Sequence, residues 1–134
     1  MQYVIVAGGR DFNDSQRMTD ELNNLQDSGW LDDKFVLISG MAKGADITAY
    51  NLLKGNGFEC LEFQPDWSDI SVQGAVVKYN RYGAYNAVAG HMRNAAMGEE
   101  ATHLVAFWDG SSRGTADMIK RMNQQNKPVT VIKY

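Results

Sequence analysis

Two hydrophobic regimes alternate along this chain. Strand-length segments rich in apolar residues occur at Tyr3–Ala7, an unbroken run, and at Phe35–Ile38, Phe58–Phe63, Thr102–Trp108 and Val129–Ile132. Runs of this kind suit strands buried on both faces, as in a parallel sheet. Between them, apolar residues recur at helical spacing. Met18, Leu22 and Leu25 follow the N-cap residues Asn13, Asp14 and Ser15, and Ala45, Ala49, Leu52 and Leu53 form a second series. Ala116, Ile119 and Met122 form another, and a further helix is expected from about Asn86 to Gly98. Gly29, Gly55-Asn56-Gly57 and Gln124-Gln125-Asn126 with Pro128 supply stops.

Residues 65 to about 85 interrupt this alternation of strand and helix. Pro65-Asp66-Trp67 opens a loop, and Gly74–Tyr85 mixes small residues with Tyr79, Tyr82 and Tyr85. The segment reads as an excursion over one end of the sheet, with room for a helical turn. The rest alternates strand and helix through short loops. That order predicts an α/β fold, a Rossmann-like three-layer sandwich with a mostly parallel central sheet of about five strands. The 134 residues suit one domain, 1–134, around a single core.

Composition narrows the class. Apolar residues make up 44% and charged residues 22%, which points to neither disorder nor a membrane span. The first residues carry no basic region ahead of the strand, so a signal peptide is not expected. Cys60 is the one cysteine and has no partner for an internal disulfide, which suits a reducing, cytoplasmic setting. A net charge of −3 and a pI near 5.3 argue against nucleic acid as the main partner. The basic pairs Lys78/Arg81 and Lys120/Arg121 are sparse. His91 and His103 lack neighbours at ligand spacing, so no metal site is expected, and no cofactor is called for.

Three strand ends carry the candidate chemistry. Gly8-Gly9-Arg10 follows Ala7, Ser39-Gly40-Met41-Ala42-Lys43-Gly44 follows Ile38, and Asp109-Gly110-Ser111-Ser112-Arg113-Gly114 follows Trp108. In open α/β sheets, ligands sit outside the carboxyl ends of the strands. Glycines let backbone approach a ligand, and unpaired N–H groups at a helix start attract an anion. Ser39, Ser111, Ser112 and Thr115 add hydroxyls, while Arg10, Lys43 and Arg113 add positive charge. A phosphate-bearing nucleotide or nucleotide derivative is the expected ligand. The plainer alternative is that these glycines only make tight turns.

Five motifs in order carry a resemblance that runs through nearly the whole chain. They are Gly8-Gly9-Arg10-Asp11-Phe12, Ser39–Asp46, Pro65-Asp66-Trp67, Gly90–Met97 and Ser112–Met118. Together they resemble the YspA/YpsA-related branch of the SLOG superfamily. The resemblance implies a Rossmann-like domain with its ligand at the glycine-rich strand ends. It adds Asp46, Arg93 and Asn94 to the candidate binding residues, and favours a homodimer.

Two relatives within that superfamily pull in different directions. Arg93 and Gly114-Thr115 look like the arginine and Gly-Thr of the Lonely-guy phosphoribohydrolases, which cleave an N-glycosidic bond. The glutamate of that motif falls on Met118, with Asp117 one residue earlier. One residue turns a helical side chain by about 100°. Hydrolysis would therefore rest on Arg93 and Asp117. Ser39–Asp46 also resembles the signature of the DNA-processing protein A family, which binds single-stranded DNA.

The leading expectation is a binding module, a sensor or sequestering protein for a nucleotide-derived ligand. An N-glycosidic hydrolase is the alternative, and single-stranded nucleic-acid binding the third reading. Individual residues keep a second reading each. Arg93 either meets a ligand phosphate or pairs with Glu99 or Glu100. Asp46 either takes a ribose hydroxyl or serves the start of its helix. Trp67, Tyr79, Tyr82 and Tyr85 either form a wall for a base or fill core and dimer contacts.

Overall fold

A computed structural model describes all residues, 1–134. Five strands form the central sheet: β1 (Tyr3–Gly8), β2 (Val36–Ser39), β3 (Cys60–Glu62), β6 (His103–Trp108) and β7 (Val129–Lys133). Two more, β4 (Val77–Asn80) and β5 (Gly83–Asn86), form a separate hairpin. Four helices complete the order: α1 (Ser15–Asp27), α2 (Ala45–Gly55), α3 (Ala89–Glu100) and α4 (Arg113–Gln124).

The central sheet runs β3-β2-β1-β6-β7, and every pairing in it is parallel. Val4, Ile5 and Val6 of β1 and Leu104–Phe107 of β6 are fully buried, as their unbroken apolar runs require. One core lies on the face covered by α1 and α2 and includes Met18, Leu22, Ala49 and Phe107. The other includes Ile5, Met97, Met118 and Met122, under α3 and α4. The sheet is thus the middle of three layers.

Strand order reverses between β1 and β6. From β1 the chain moves outward to β2 and β3, then returns to the other side for β6 and β7. The loops after β1 and β6 therefore diverge to opposite faces, which opens a crevice outside their carboxyl ends.

Local signals explain most helix ends. Asp14 caps α1 by accepting from the Arg17 N–H at 3.0 Å. Gly29, just beyond that helix, takes φ +81°. Arg113 and Gly114, expected in a turn, are the first residues of α4.

The segment from residue 65 differs from expectation more deeply. In place of a helical turn it carries the antiparallel hairpin β4–β5, with Val77 opposite Asn86 and Asn80 opposite Gly83. Asn86 closes that hairpin and does not open α3. Its buried side-chain oxygen accepts from the Val76 and Val88 N–H groups, which fixes the hairpin base and delays α3 to Ala89. No helix is long and apolar enough to cross a membrane.

Candidate functional site

A cleft of about 360 Å³ lies at the reversal point. Ala7 and Gly8 from β1, Arg10 from the loop after it, and Ala42 and Asp46 around the start of α2 form one wall. Arg93, Asn94 and Met97 of α3 face Ser112, Arg113, Gly114, Thr115 and Met118 around the start of α4. Three arginines and one carboxylate therefore line a single opening.

The start of α4 is built to leave its first N–H groups unpaired. Asp109 Oδ1 accepts from Ser111 N at 2.9 Å and from Ser112 N at 2.8 Å, which folds the approach to the helix. These bonds hold the Asp109 carboxyl below its ordinary pKa. Trp108 Nε1 donates to the Ser112 carbonyl at 3.0 Å and pins the turn from beneath. Ser112 occupies the N-cap but makes no side-chain cap bond; its hydroxyl lies 3.1 Å from the Thr115 hydroxyl. The opening N–H groups of a helix that lacks a cap bond need partners from water or a ligand.

Gly114 sharpens this picture. It sits in the first turn of α4 and lines the cleft, and no atom within 4 Å would meet a Cβ placed there. Glycine in a helix costs about 0.5–1 kcal/mol relative to alanine. No neighbouring atom of the protein would meet a side chain there. Gly44 contrasts with it. That residue has φ +96°, and a Cβ would collide with the carbonyl oxygen of Gly9. Its small size serves packing between two loops.

Arg93 joins two strand ends to its own helix. Nη1 donates to the Gly40 carbonyl at 2.6 Å and to the Phe63 carbonyl at 3.4 Å, and Nε donates to Asn94 Oδ1 at 3.0 Å. It forms no pair with Glu99 or Glu100; burial lowers its pKa, opposed by the charge of Asp46 and aided by that of Arg10. The residue ties α3 to the ends of β2 and β3 while lining the cleft.

Asp46 is the carboxylate of the cleft. Only 7% of its surface is exposed, and burial pushes its pKa up to about 6, against the Ala42 N–H bond and the charge of Arg93. Ala42 N donates to Asp46 Oδ2 at 3.4 Å. A carboxyl group with this value exchanges protons near neutrality.

Asp117 stands elsewhere. It is not among the cleft residues, and Oδ2 accepts from Asn94 Nδ2 at 3.0 Å and from Arg121 Nε at 2.9 Å. Partial burial raises its pKa, but these bonds and the nearby Arg121 and His91 outweigh that and hold it below the ordinary value. Asn94 bridges the two helices: it receives Arg93 and donates to Asp117 and, at 3.4 Å, to the Gly114 carbonyl. Buried Met118, at the position where the resemblance has a glutamate, gives the cleft an apolar surface.

The other candidates occupy different places. Lys43 and Gly44 line a neighbouring hollow with Asp11, Asn13 and Thr48, and Arg10 borders both spaces. Ser39 is fully buried, and its Oγ accepts from the Met41 N–H at 3.1 Å, holding a loop in which Met41 takes φ +58°. Gly40 lies between Asp46 and Arg93. Gly9, Gly110 and Ser111 do not line the cleft. Ala7, Ala42, Met97 and Met118 also line it. Their side chains are apolar and carry no chemical signal for a ligand. No cluster of three His, Cys, Asp or Glu side chains is arranged to hold a metal ion.

Comparison with known proteins decides the lineage. The YspA, cpYpsA-related SLOG family, YAcAr, matches residues 2–69, half of the chain. The chain belongs to this family. The matched part of this SLOG protein spans β1, α1, β2, α2, β3 and Pro65–Asp69, and so includes two of the three glycine-rich strand ends. No curated protein sequence matches it. Among solved structures, it is similar to DNA processing protein A from Streptococcus pneumoniae, with a TM-score of 0.67 at 14% identity. That match covers 97% of this SLOG protein and 49% of the other chain, so it spans about half of the neighbour's length. The likeness establishes the Rossmann-like fold.

Proposed function

We propose that the cleft binds a phosphate-bearing nucleotide or nucleotide derivative, and that the protein acts as a sensor or sequestering module for it. One observation carries this reading: Arg10, Arg93 and Arg113 line the same opening as the uncapped start of α4, where Gly114 leaves the backbone bare. The phosphate takes the N–H groups of that first turn and the arginine charge. Charge-assisted hydrogen bonds contribute roughly 1.5–3 kcal/mol each. Asp46, on the opposite wall, supplies an acceptor for sugar hydroxyls. The three arginines and the absence of aromatic rings from the lining suit phosphate and sugar better than a stacked base.

A second reading has its own support. Asp46 is a buried carboxyl with a pKa near 6 in the same cleft as three arginines, a combination suited to general acid–base work. N-glycosidic hydrolysis by this protein would draw on Asp46 rather than Asp117, which does not line the cleft and whose Oδ2 accepts from Asn94 and Arg121.

The test is incubation with mononucleotides, NAD, ADP-ribose and cyclic dinucleotides, followed by ultrafiltration and chromatography of bound and free species. Retention of an intact compound, lost in Arg113→Glu, is the expected result. Time-dependent release of free base, abolished by Asp46→Asn, moves the conclusion to hydrolysis. Neither retention nor conversion across the panel rejects both.

A further inference from the structure

We propose that residues 59–82 form a self-complementary surface on which a second copy of this chain docks, the hairpin of each copy lying against the acidic edge of the other. Three observations carry it.

The first is exposure. Seven of the ten large apolar side chains left in solvent fall between Trp67 and Tyr82. Tyr79 and Tyr82 are 78% and 82% exposed, and all four residues of β4 are exposed. Concentrated apolar exposure marks an interaction surface, whereas scattered exposure does not.

The second is lack of support. β4 and β5 pair only with each other, and the main sheet does not extend to them. The hairpin is held at its base, where Asn86 N donates to the Trp67 carbonyl at 2.7 Å and Ala87 N to the Val76 carbonyl at 2.8 Å. A lone two-stranded hairpin is marginal in water, and its open edges invite pairing.

The third selects the occupant. From residue 70 to 90 the only charged side chains are Lys78 and Arg81, both positive. From 59 to 69 the only ones are Glu59, Glu62, Asp66 and Asp69, all negative. β3, which carries Glu62, is an edge strand of the main sheet. Two adjacent stretches of opposite charge, with an apolar band overlapping both, meet the requirement of a two-fold interface, in which each patch meets the other twice. A nucleic acid would confront the four carboxylates beside the hairpin.

The experiment measures molar mass by sedimentation and by light scattering over a concentration series. Wild type should be dimeric, and weaken as salt rises. Tyr79→Ser with Tyr82→Ser should give monomer, as should Lys78→Glu with Arg81→Glu, and Asp66→Lys with Asp69→Lys. Each charge variant alone sets like charges together. Mixed in equal amounts, the two charge variants should recover the dimer, because both contacts of the mixed pair are again of opposite sign. Asp66 accepts from Ser68 and Asp69 from Ser71, so Glu59→Lys, at an exposed position, serves in the mixture if the double change loosens those turns. Thermal unfolding checks that every variant is folded. A wild-type monomer at all concentrations overturns the proposal. So does a dimer that survives in all variants, which would use another face, or a failure of the mixed charge variants to associate.

Discussion

Asp46 and Arg93 both close on Gly40. A methyl group on Gly40 would stand 2.7 Å from Asp46 Oδ2 and 2.8 Å from Arg93 Nη1, so the absence of a side chain there lets the two groups share one wall of the cleft. Both atoms end side chains that can turn aside. Gly40→Ala should therefore fold, at a cost of about 1–3 kcal/mol for overpacking, and should weaken ligand binding by about tenfold, or 1.4 kcal/mol. Thermal unfolding with calorimetric titration of the retained nucleotide checks both. Full affinity in the folded variant would remove the Asp46–Arg93 wall from the site.

Arg93→Lys keeps the charge and loses the fork that reaches Gly40, Phe63 and Asn94 at once. The expected loss is about 1–3 kcal/mol of stability, from carbonyl groups left short of a partner, together with weaker binding. Denaturant unfolding gives the first number and titration the second. A variant as stable as wild type would mean that these bonds are replaced by water.

Gly114→Ala separates two roles of one residue. Open space around the position and the gain in helix propensity predict a rise in stability of about 0.5–1 kcal/mol. If a phosphate approaches the backbone there, the same variant binds more weakly. A higher melting temperature with reduced nucleotide retention is the expected pair of results. Higher stability with unchanged retention would place the ligand away from α4.

Asp46 makes stability depend on pH. Its value is about 6 in the fold against an ordinary 3.8, so its ionised form is disfavoured by folding. For a group with this sign, the contribution is whole below the unfolded value and is lost as pH rises through the folded one. The difference corresponds to up to about 3 kcal/mol at 1.36 kcal/mol per pKa unit. Wild type should lose stability relative to Asp46→Asn as pH climbs from about 4 to about 7. Parallel denaturant titrations of the two proteins measure it, and curves that stay parallel across the window would contradict a buried, proton-exchanging Asp46.

Asp117→Asn tests the other carboxylate. Arg121 and Asp117 form a partly exposed i,i+4 pair, so its loss should cost only about 0.5–1 kcal/mol, while nucleotide retention changes little. Loss of a measured hydrolysis with stability intact would show instead that Asp117 reaches the substrate.

Periodicity alone determined the layered α/β frame. Unbroken apolar runs such as Val4-Ile5-Val6 can be buried only in a sheet covered on both faces, and the 3–4 spacing of Met18 and Leu22 must face that sheet. The glycine-rich strand ends were legible too, because parallel strands deliver their βα loops to one edge. The hairpin was not. Val77-Lys78-Tyr79-Asn80 does alternate apolar and polar, but the strand is exposed on both sides, so that alternation faces no core, and Asn86 acquires its role only once Val76 folds back beside it. The tertiary structure alone decided which carboxylate lines the cleft. Asp46 and Asp117 each stand near a helix start, and their local sequences do not tell them apart. Packing of α3 against α4 gives Asp117 to Asn94 and Arg121, while the turn after β2 leaves Asp46 buried beside Arg93. That choice depends on contacts of Asp117 with Asn94, 23 positions away, and of Asp46 with Arg93, 47 positions away, and the sequence beside each carboxylate does not specify those neighbours.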